Sequence, residues 1–200
     1  MRYTRIAIDI DDTLADSTEA LRRQVNLLLG EGLSADDYKQ PGKYWGYYRQ
    51  VWERHGIADK LDFHELKRQM EVDQSHVPLI SGADTAMQIL NRHADIYLVT
   101  SRDQLWENAT RQWFRRQFAN DDISLHFCES HKDDTAQTKG QLCKELGAEL
   151  LIDDNPEHCR TALDEGIDAM LFGNYGWHHG ASLPAMRCRT WTDVVRELYG

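Results

Sequence analysis

The chain has 200 residues, with 33 acidic and 23 basic side chains, and its formal net charge is −10. An acidic surplus of this size excludes a broad surface for DNA or RNA, because affinity for nucleic-acid phosphates comes from many Lys and Arg contacts. With 41% hydrophobic and 10% aromatic residues, the chain can build a packed core, which excludes wholesale disorder. The length suits one domain, or one domain with a small appendage.

The cysteine pattern and the N-terminus indicate a cytoplasmic protein. The four cysteines are far apart in the sequence and include no C-x-x-C pair, so we expect reduced thiols rather than a zinc or redox site. The N-terminus runs directly into a strand pattern and lacks the apolar stretch of a signal peptide. The sequence also has no run of about 18 apolar residues, the length needed to span a membrane. We therefore expect no membrane partner.

Short apolar runs rich in β-branched residues predict five strands that alternate with helical patterns. The strands are predicted at residues 5–13, 96–100, 125–128, 150–154 and 169–172, and the helices at 83–92, 104–118, 139–146 and 156–165. A closing helix is predicted at 192–199, capped by Thr192. Such alternation is typical of right-handed βαβ units, so we predict an α/β fold with a Rossmann-like, doubly wound parallel sheet.

Residues 16–77 interrupt this alternation with helical patterns alone. The three predicted helical stretches are residues 16–30, 44–52 and 60–72. Asp16 and Glu19 have the spacing of a capping box at the start of the first stretch, and Gly30 ends it. We predict a small helical cap of residues 16–77, inserted after the first strand into a core domain of residues 1–15 and 78–200.

Two pairs of carboxylates follow predicted strands. Asp9 and Asp11 come at the end of the first strand, and Asp153 and Asp154 end the strand at 150–154. The carboxyl ends of parallel strands meet in one crevice, and carboxylates held close together need a cation, a shared proton or full exposure. Oxygen ligands of this kind suit Mg²⁺. Either pair alone is equally well explained as a turn former or helix cap.

Two further elements distinguish these interpretations: Thr100, which ends the second strand, and Lys139, which opens a helix. With them, the sequence resembles the four ordered motifs of the haloacid dehalogenase-like (HAD) superfamily. The similar segments are residues 6–14 (IAIDIDDTL), 97–100 (YLVT), Lys139 and 150–154 (LLIDD). The helical insertion lies where that superfamily has its C1-type cap. The segment 152–156 (IDDNP) more narrowly resembles the 5′(3′)-deoxyribonucleotidase branch.

The resemblance implies a Mg²⁺-dependent phosphomonoesterase that works through an aspartyl-phosphate. It makes Asp9 the nucleophile and Asp11 the general acid and base. Crowding of Asp11 against Asp9 and Asp153 is expected to raise the pKa of Asp11. Mg²⁺ is expected to bind Asp9, the backbone carbonyl of Asp11, and Asp153, with Asp154 acting through water or by orienting Lys139.

The implied substrate-binding residues surround these carboxylates. Thr100 and Lys139 are expected to hold the phosphoryl oxygens, and the same set includes Asp12 and Ser101. Arg102 either meets a substrate anion or pairs with a surface carboxylate, and the similar deoxyribonucleotidases usually carry proline at its position.

Two aromatic features of the chain have alternative interpretations. Trp45 and Tyr48 either stack a nucleobase or pack inside the cap, since their spacing also fits one helix face. His178 and His179 lie in a Gly- and Trp-rich loop without an acidic partner at ligand spacing, so a metal-binding role is disfavoured.

The expected substrate is a small soluble phosphate monoester, with a nucleoside or deoxynucleoside monophosphate preferred. One alternative is a phosphatase or mutase for a sugar phosphate or other small metabolite. Another is a non-catalytic HAD-fold protein that binds a phosphorylated ligand. Retention of Asp9, Asp11, Thr100, Lys139 and Asp153 favours catalysis.

Overall fold

A computed structural model describes residues 2–119, 124–128 and 136–200. Six strands in these ranges form one sheet with the order β3-β2-β1-β4-β5-β6, in which every neighbouring pair is parallel. The strands are β1 (Arg5–Ile8), β2 (Asp95–Thr100), β3 (Ser124–Phe127), β4 (Leu150–Asp153), β5 (Asp168–Phe172) and β6 (Met186–Cys188). The predicted α/β fold with a Rossmann-like parallel sheet is confirmed.

Within the same ranges the chain forms eight α-helices, which flank the sheet or lie in the insertion. They are α1 (Ser17–Leu29), α2 (Tyr47–Arg54), α3 (Phe63–Val72), α4 (Ala83–Leu90), α5 (Glu107–Phe118), α6 (Lys139–Glu145), α7 (Pro156–Asp164) and α8 (Trp191–Tyr199). Across the part of the chain so described, no helix is long and apolar enough to cross a membrane.

The sheet is buried on both faces, which explains why its central strands are almost continuously apolar. Alternate side chains of β1 enter different hydrophobic clusters: Ile6 and Ile8 enter one, and Ala7 enters the other. All four residues of β4 are buried. The carboxylates that follow β1 and end β4 therefore lie next to the least solvated part of the molecule.

Helices α1, α2 and α3 share a further hydrophobic cluster, which includes Leu21, Val51 and Trp52 and is joined by Trp177 from the segment after β5. The predicted start and end of the first helix are confirmed. The Asp16 side chain accepts a hydrogen bond from the Glu19 backbone N–H, and Gly30 ends the helix with a left-handed φ of 65°.

Several predicted boundaries are wrong. The second helical stretch begins at Tyr47 rather than at residue 44, because Gly46 has a left-handed φ of 77°. The third begins at Phe63, where the Asp62 side chain accepts hydrogen bonds from two backbone N–H groups. The closing helix starts after Thr190, and not at Thr192, because Thr190 forms the capping box with Asp193. Strand β6 was not predicted, since three residues are too few to show a period.

Candidate active site

Three buried carboxylates meet where β1 and β4 end. Asp9 follows β1, and its backbone N–H donates to the Ile152 carbonyl of β4 at 2.9 Å, which holds the two strand ends together. One carboxylate oxygen from each of Asp9, Asp153 and Asp154 lies within 4.8 Å of the others. The side chain of Asp11 is not a member of this group, so its predicted contact with metal through the backbone carbonyl stays a prediction.

Lys139 provides a positive charge to this group. It is the first residue of α6, and its side chain is only 1% exposed. Its Nζ donates to Asp9 Oδ1 at 2.8 Å and to Asp153 Oδ2 at 2.7 Å. Burial would lower the pKa of Lys139, but the two carboxylates outweigh burial and raise it. Lys139 is therefore an ammonium that offsets one negative charge among three neighbouring carboxyl groups.

The remaining charges indicate where a cation would bind. Burial raises the pKa of Asp9 to about 7, with Lys139 opposing that rise. Burial also raises the pKa of Asp154 well above its usual value, reinforced by the charges of Asp153 and Asp9. Moreover, Asp154 Oδ1 is buried and has no hydrogen-bond partner among the described residues. A set of oxygen donors with an unpartnered carboxylate oxygen fits Mg²⁺.

Asp153 is the most strongly ionised member of the group. Its burial would raise its pKa, but Lys139 and His158 outweigh burial and hold the pKa at about 2. Asp153 Oδ1 also accepts a hydrogen bond from the Asn155 backbone N–H at 2.8 Å, at the start of α7. This carboxylate is thus fixed as an anion facing Lys139 and Asp9.

Asp11 is paired with Arg102. The guanidinium donates to both carboxylate oxygens, from Nε at 2.7 Å and from Nη2 at 2.8 Å, and Ser17 Oγ donates to one of them. Burial would raise the pKa of Asp11, but Arg102 outweighs it and lowers the pKa. The expected rise in the pKa of Asp11 is wrong. The negative charges of Asp9 and Asp153 affect this pKa less than the bidentate ion pair with Arg102 does.

Arg102 is itself held on several sides. Its side chain is 1% exposed, against 33% for Asp11. Its Nη1 donates to Gln74 Oε1 at 2.7 Å and to Thr110 Oγ1 at 3.0 Å. Arg102 therefore pairs with a carboxylate, as one of the two sequence interpretations has it, but the partner is a site residue rather than a surface residue.

Thr100 and Ser101 have different environments at the end of β2. Thr100 is fully buried, and its Oγ1 accepts a hydrogen bond from the Arg102 backbone N–H at 3.2 Å. Ser101 lines the cavity in front of the carboxylates, with Oγ 3.5 Å from His158 Nε2. Of the two hydroxyls, that of Ser101 faces the space where a substrate would bind.

Asp12 links the strand end to the insertion. Its carboxylate accepts hydrogen bonds from the Thr18 backbone N–H and hydroxyl, each at 2.9 Å, and from Tyr48 Oη at 3.2 Å. Burial raises the pKa of Asp12 to about 7, with the Thr18 hydrogen bonds opposing. Its backbone has a left-handed φ of 53°, a conformation that costs a non-glycine residue energy. Substrate binding by Asp12 stays a prediction.

A cavity of about 620 Å³ opens in front of Asp9, Asp11 and Lys139. Trp45 is 52% exposed, and its Nε1 donates to Glu157 at 2.9 Å. Tyr48 stacks on Trp52 with ring centres 6.4 Å apart, so it packs within the insertion. The aromatic residues of the cavity wall are Tyr44, Trp45, Tyr47, Tyr48, Trp52, Phe63, Trp106 and Trp177.

Two residues at the site, His158 and Tyr175, are not predicted from the sequence, and the sequence does not distinguish His178 from His179. His158 Nδ1 lies 3.3 Å from Asp153 Oδ1, and Tyr175 Oη donates to the Asp12 carbonyl at 2.6 Å. His178 is buried with Nε2 2.6 Å from the Asp154 carbonyl, whereas His179 is exposed. The position of His158 in the first turn after an acidic strand end is the one sequence signal that points to it.

The fold is that of the HAD-superfamily hydrolases. The sequence matches no protein-family model and no curated protein. A predicted phosphoglycolate phosphatase from Haemophilus somnus has a TM-score of 0.63 at 13% identity, with 99% of each chain covered. YfnB from Bacillus subtilis, a candidate HAD-hydrolase bound to magnesium, has a TM-score of 0.61 at 16% identity, again with 99% of each chain covered.

A third similar structure contains phosphate. It is a HAD family hydrolase from Deinococcus radiodurans with bound phosphate and sodium, with a TM-score of 0.62 at 13% identity and coverage of 98% of this chain and 95% of that one. At such identities the similarity establishes the fold. The chemistry of this chain has to be argued from its own residues.

Proposed function

We propose that this protein is a Mg²⁺-dependent phosphomonoesterase that works through an aspartyl-phosphate on Asp9. The observation that carries the proposal is the buried group of Asp9, Asp153 and Asp154 with Lys139 between two of its members. Three buried carboxyl groups that share one ammonium favour a further cation over protonation, and a cation so placed attracts a phosphate. The magnesium and phosphate in the similar structures support this interpretation.

The proposed reaction has two displacements at phosphorus. A carboxylate oxygen of Asp9 forms a bond to phosphorus while the ester oxygen leaves, and water then displaces Asp9 to release phosphate. Arg102 holds Asp11 as a carboxylate at the cavity wall, so Asp11 has to take up a proton from solvent before it can act as the acid on the leaving oxygen. As a carboxylate it then accepts a proton from the attacking water. Asp9, Asp153, Asp154 and the Asp11 carbonyl would hold Mg²⁺, which would supply positive charge to the phosphoryl oxygens. Lys139 and the Ser101 hydroxyl complete this proposed phosphoryl site, and Thr100, buried behind it, supports it through the Arg102 backbone N–H.

The substrate proposed is a nucleoside or deoxynucleoside monophosphate. The aromatic wall of the cavity supports it, because a base can stack on such side chains and a volume of about 620 Å³ suits a ligand of that size. A small substrate with a second acidic group is the alternative. Arg102 and Lys139 already pair with carboxylates, but Arg49 and Lys67 also line the cavity and could meet a second acidic group.

We also propose that residues 16–77 act as a C1-type cap on a core of residues 1–15 and 78–200. A hydrophobic cluster formed mainly by residues of the insertion, with Trp177 as its one buried member from the core among the described residues, supports this division. So do its contacts at the cavity, from Tyr48 to Asp12 and from Trp45 to Glu157. A cytoplasmic location without membrane or nucleic-acid partners completes the proposal.

The direct test is hydrolysis of p-nitrophenyl phosphate and of a panel of phosphate monoesters by the purified protein. We expect turnover with Mg²⁺, loss of turnover with EDTA, and recovery when Mg²⁺ is restored. Nucleoside monophosphates are expected to have the highest kcat/KM of the panel. A preference for sugar phosphates would replace the proposed substrate, while Mg²⁺-dependent phosphate binding without turnover would favour the non-catalytic alternative. Hydrolysis that is unaffected by EDTA would contradict the metal-dependent reaction.

Substitution of Trp45 tests the proposed stacking. We expect Trp45→Leu to raise KM for a nucleoside monophosphate about tenfold, since stacking on an aromatic side chain contributes about 1–3 kcal/mol per base. KM for glycerol 2-phosphate, which has no ring, is expected to stay the same. Trp45→Phe serves as the control, because it keeps an aromatic face. An equal rise for both substrates would contradict stacking and indicate that Trp45 acts through packing.

A further inference from the structure

Three side chains that follow β5 contact the backbone of the loops that bear the site carboxylates. Tyr175 Oη donates to the Asp12 carbonyl at 2.6 Å. Trp177 Nε1 donates to the Asp154 carbonyl at 3.2 Å, and His178 Nε2 lies 2.6 Å from the same oxygen. We call Tyr175, Trp177 and His178 the carbonyl clamp.

His178 is a donor in this arrangement and has no free capacity to be a metal ligand through Nε2. A carbonyl oxygen only accepts, so the proton lies on Nε2. Burial lowers the pKa of His178 to about 4, which keeps the imidazole neutral. His179, its neighbour in sequence, is exposed and provides a natural comparison.

The other side of the clamp packs against the insertion. The Tyr175 and Trp177 rings stack with centres 4.5 Å apart, and Trp177 meets Tyr47 of α2 edge to face at 4.9 Å. Gly176 packs directly against the insertion. A Cβ at this position would lie 2.1 Å from both the Gln40 carbonyl and Tyr47 Oη, so no larger residue fits there. The carbonyl clamp therefore packs against the insertion while it contacts the carbonyls of Asp12 and Asp154.

We infer that the carbonyl clamp is a set of positioning residues for the metal site, and that His178 and Trp177 orient Asp154 through its backbone. This inference rests on the proposed Mg²⁺ site. Asp154 is the one member of the acidic group with a buried carboxylate oxygen that accepts no hydrogen bond from the described residues. The orientation of this carboxylate therefore depends on the Asp154 backbone, which the carbonyl clamp contacts.

Isothermal titration of metal-free protein with Mg²⁺ tests the inference without any assay of activity. Outer partners of metal ligands typically change metal affinity about 10–100-fold, so His178→Phe is expected to raise the Kd for Mg²⁺ at least about tenfold. His179→Phe is expected to leave it unchanged. His178→Gln, which restores a side-chain N–H donor, is expected to recover part of the affinity.

The melting temperature of each metal-free variant separates a positioning role from a general loss of stability. If His178→Phe does not fold, Trp177→Phe, which removes one donor and keeps a ring, is measured in its place with an expected rise in Kd of about tenfold. Unchanged Kd values in both variants would overturn the inference while the proposed site stands. A wild-type protein that binds no Mg²⁺ would overturn the proposed metal site and the inference together.

Discussion

Replacing Asp9 with asparagine is expected to lower kcat for p-nitrophenyl phosphate by roughly 10⁴- to 10⁶-fold, the range seen when a nucleophile is removed from an enzyme. The amide has nearly the shape of the carboxylate and still offers an oxygen to Lys139 Nζ, now 2.8 Å from Asp9 Oδ1. It cannot form the acyl phosphate. Kinetics of phosphate release on the purified variant measure the loss.

The same variant provides its own control for folding. Asp9→Asn removes one of three neighbouring negative charges from a buried site, where burial already raises the pKa of Asp9 to about 7. The metal-free protein is therefore expected to be as stable as the wild type or more stable, with a smaller gain in melting temperature from Mg²⁺. Activity that survives in a well-folded Asp9→Asn protein would mean that another group attacks phosphorus.

Lys139→Met is expected to have the largest effect on stability, with a loss of about 3–5 kcal/mol in the free energy of unfolding of the metal-free protein. The substitution leaves Asp9 and Asp153 buried without the ammonium that contacts both. Mg²⁺ is expected to restore more stability to this variant than it adds to the wild type. Urea unfolding with and without Mg²⁺ measures both quantities.

Lys144→Met is the matched control for that experiment. Lys144 lies on the same helix, α6, and pairs with Glu165, but its side chain is 63% exposed. Its loss is expected to cost less than about 1 kcal/mol, in line with surface ion pairs. Equal losses in the two variants would show that the buried position of Lys139 has no special electrostatic role.

The sequence predicts the carboxylate group well because its signals are local. An apolar run that ends at an acidic residue can be recognised within a window of about ten residues. This pattern occurs at both Asp9 and Asp153. The rule that parallel strands end at one edge then brings the two together, and the sheet places β1 beside β4.

The interactions between loops could not be predicted in this way. The pairing of Asp11 with Arg102 joins side chains from the ends of two strands, and its geometry depends on the rotamers of both. Crowding of like charges suggested the opposite pKa shift for Asp11, because it left that partner out. Likewise no periodicity distinguishes His178 from His179, although one is buried against the Asp154 carbonyl and the other is exposed.

The strand order has a consequence for synthesis of the chain. Strand β1 lies between β2 and β4, so Ile6 pairs with Ile96 on one side and Leu150 on the other. During translation β1 is made long before β2 or β4 emerges from the ribosome, and strand pairings so distant in sequence form slowly. Asp9 can meet Asp153 only after translation has passed β4. Chains that end before β4 therefore cannot bring the acidic group of Asp9, Asp153 and Asp154 together.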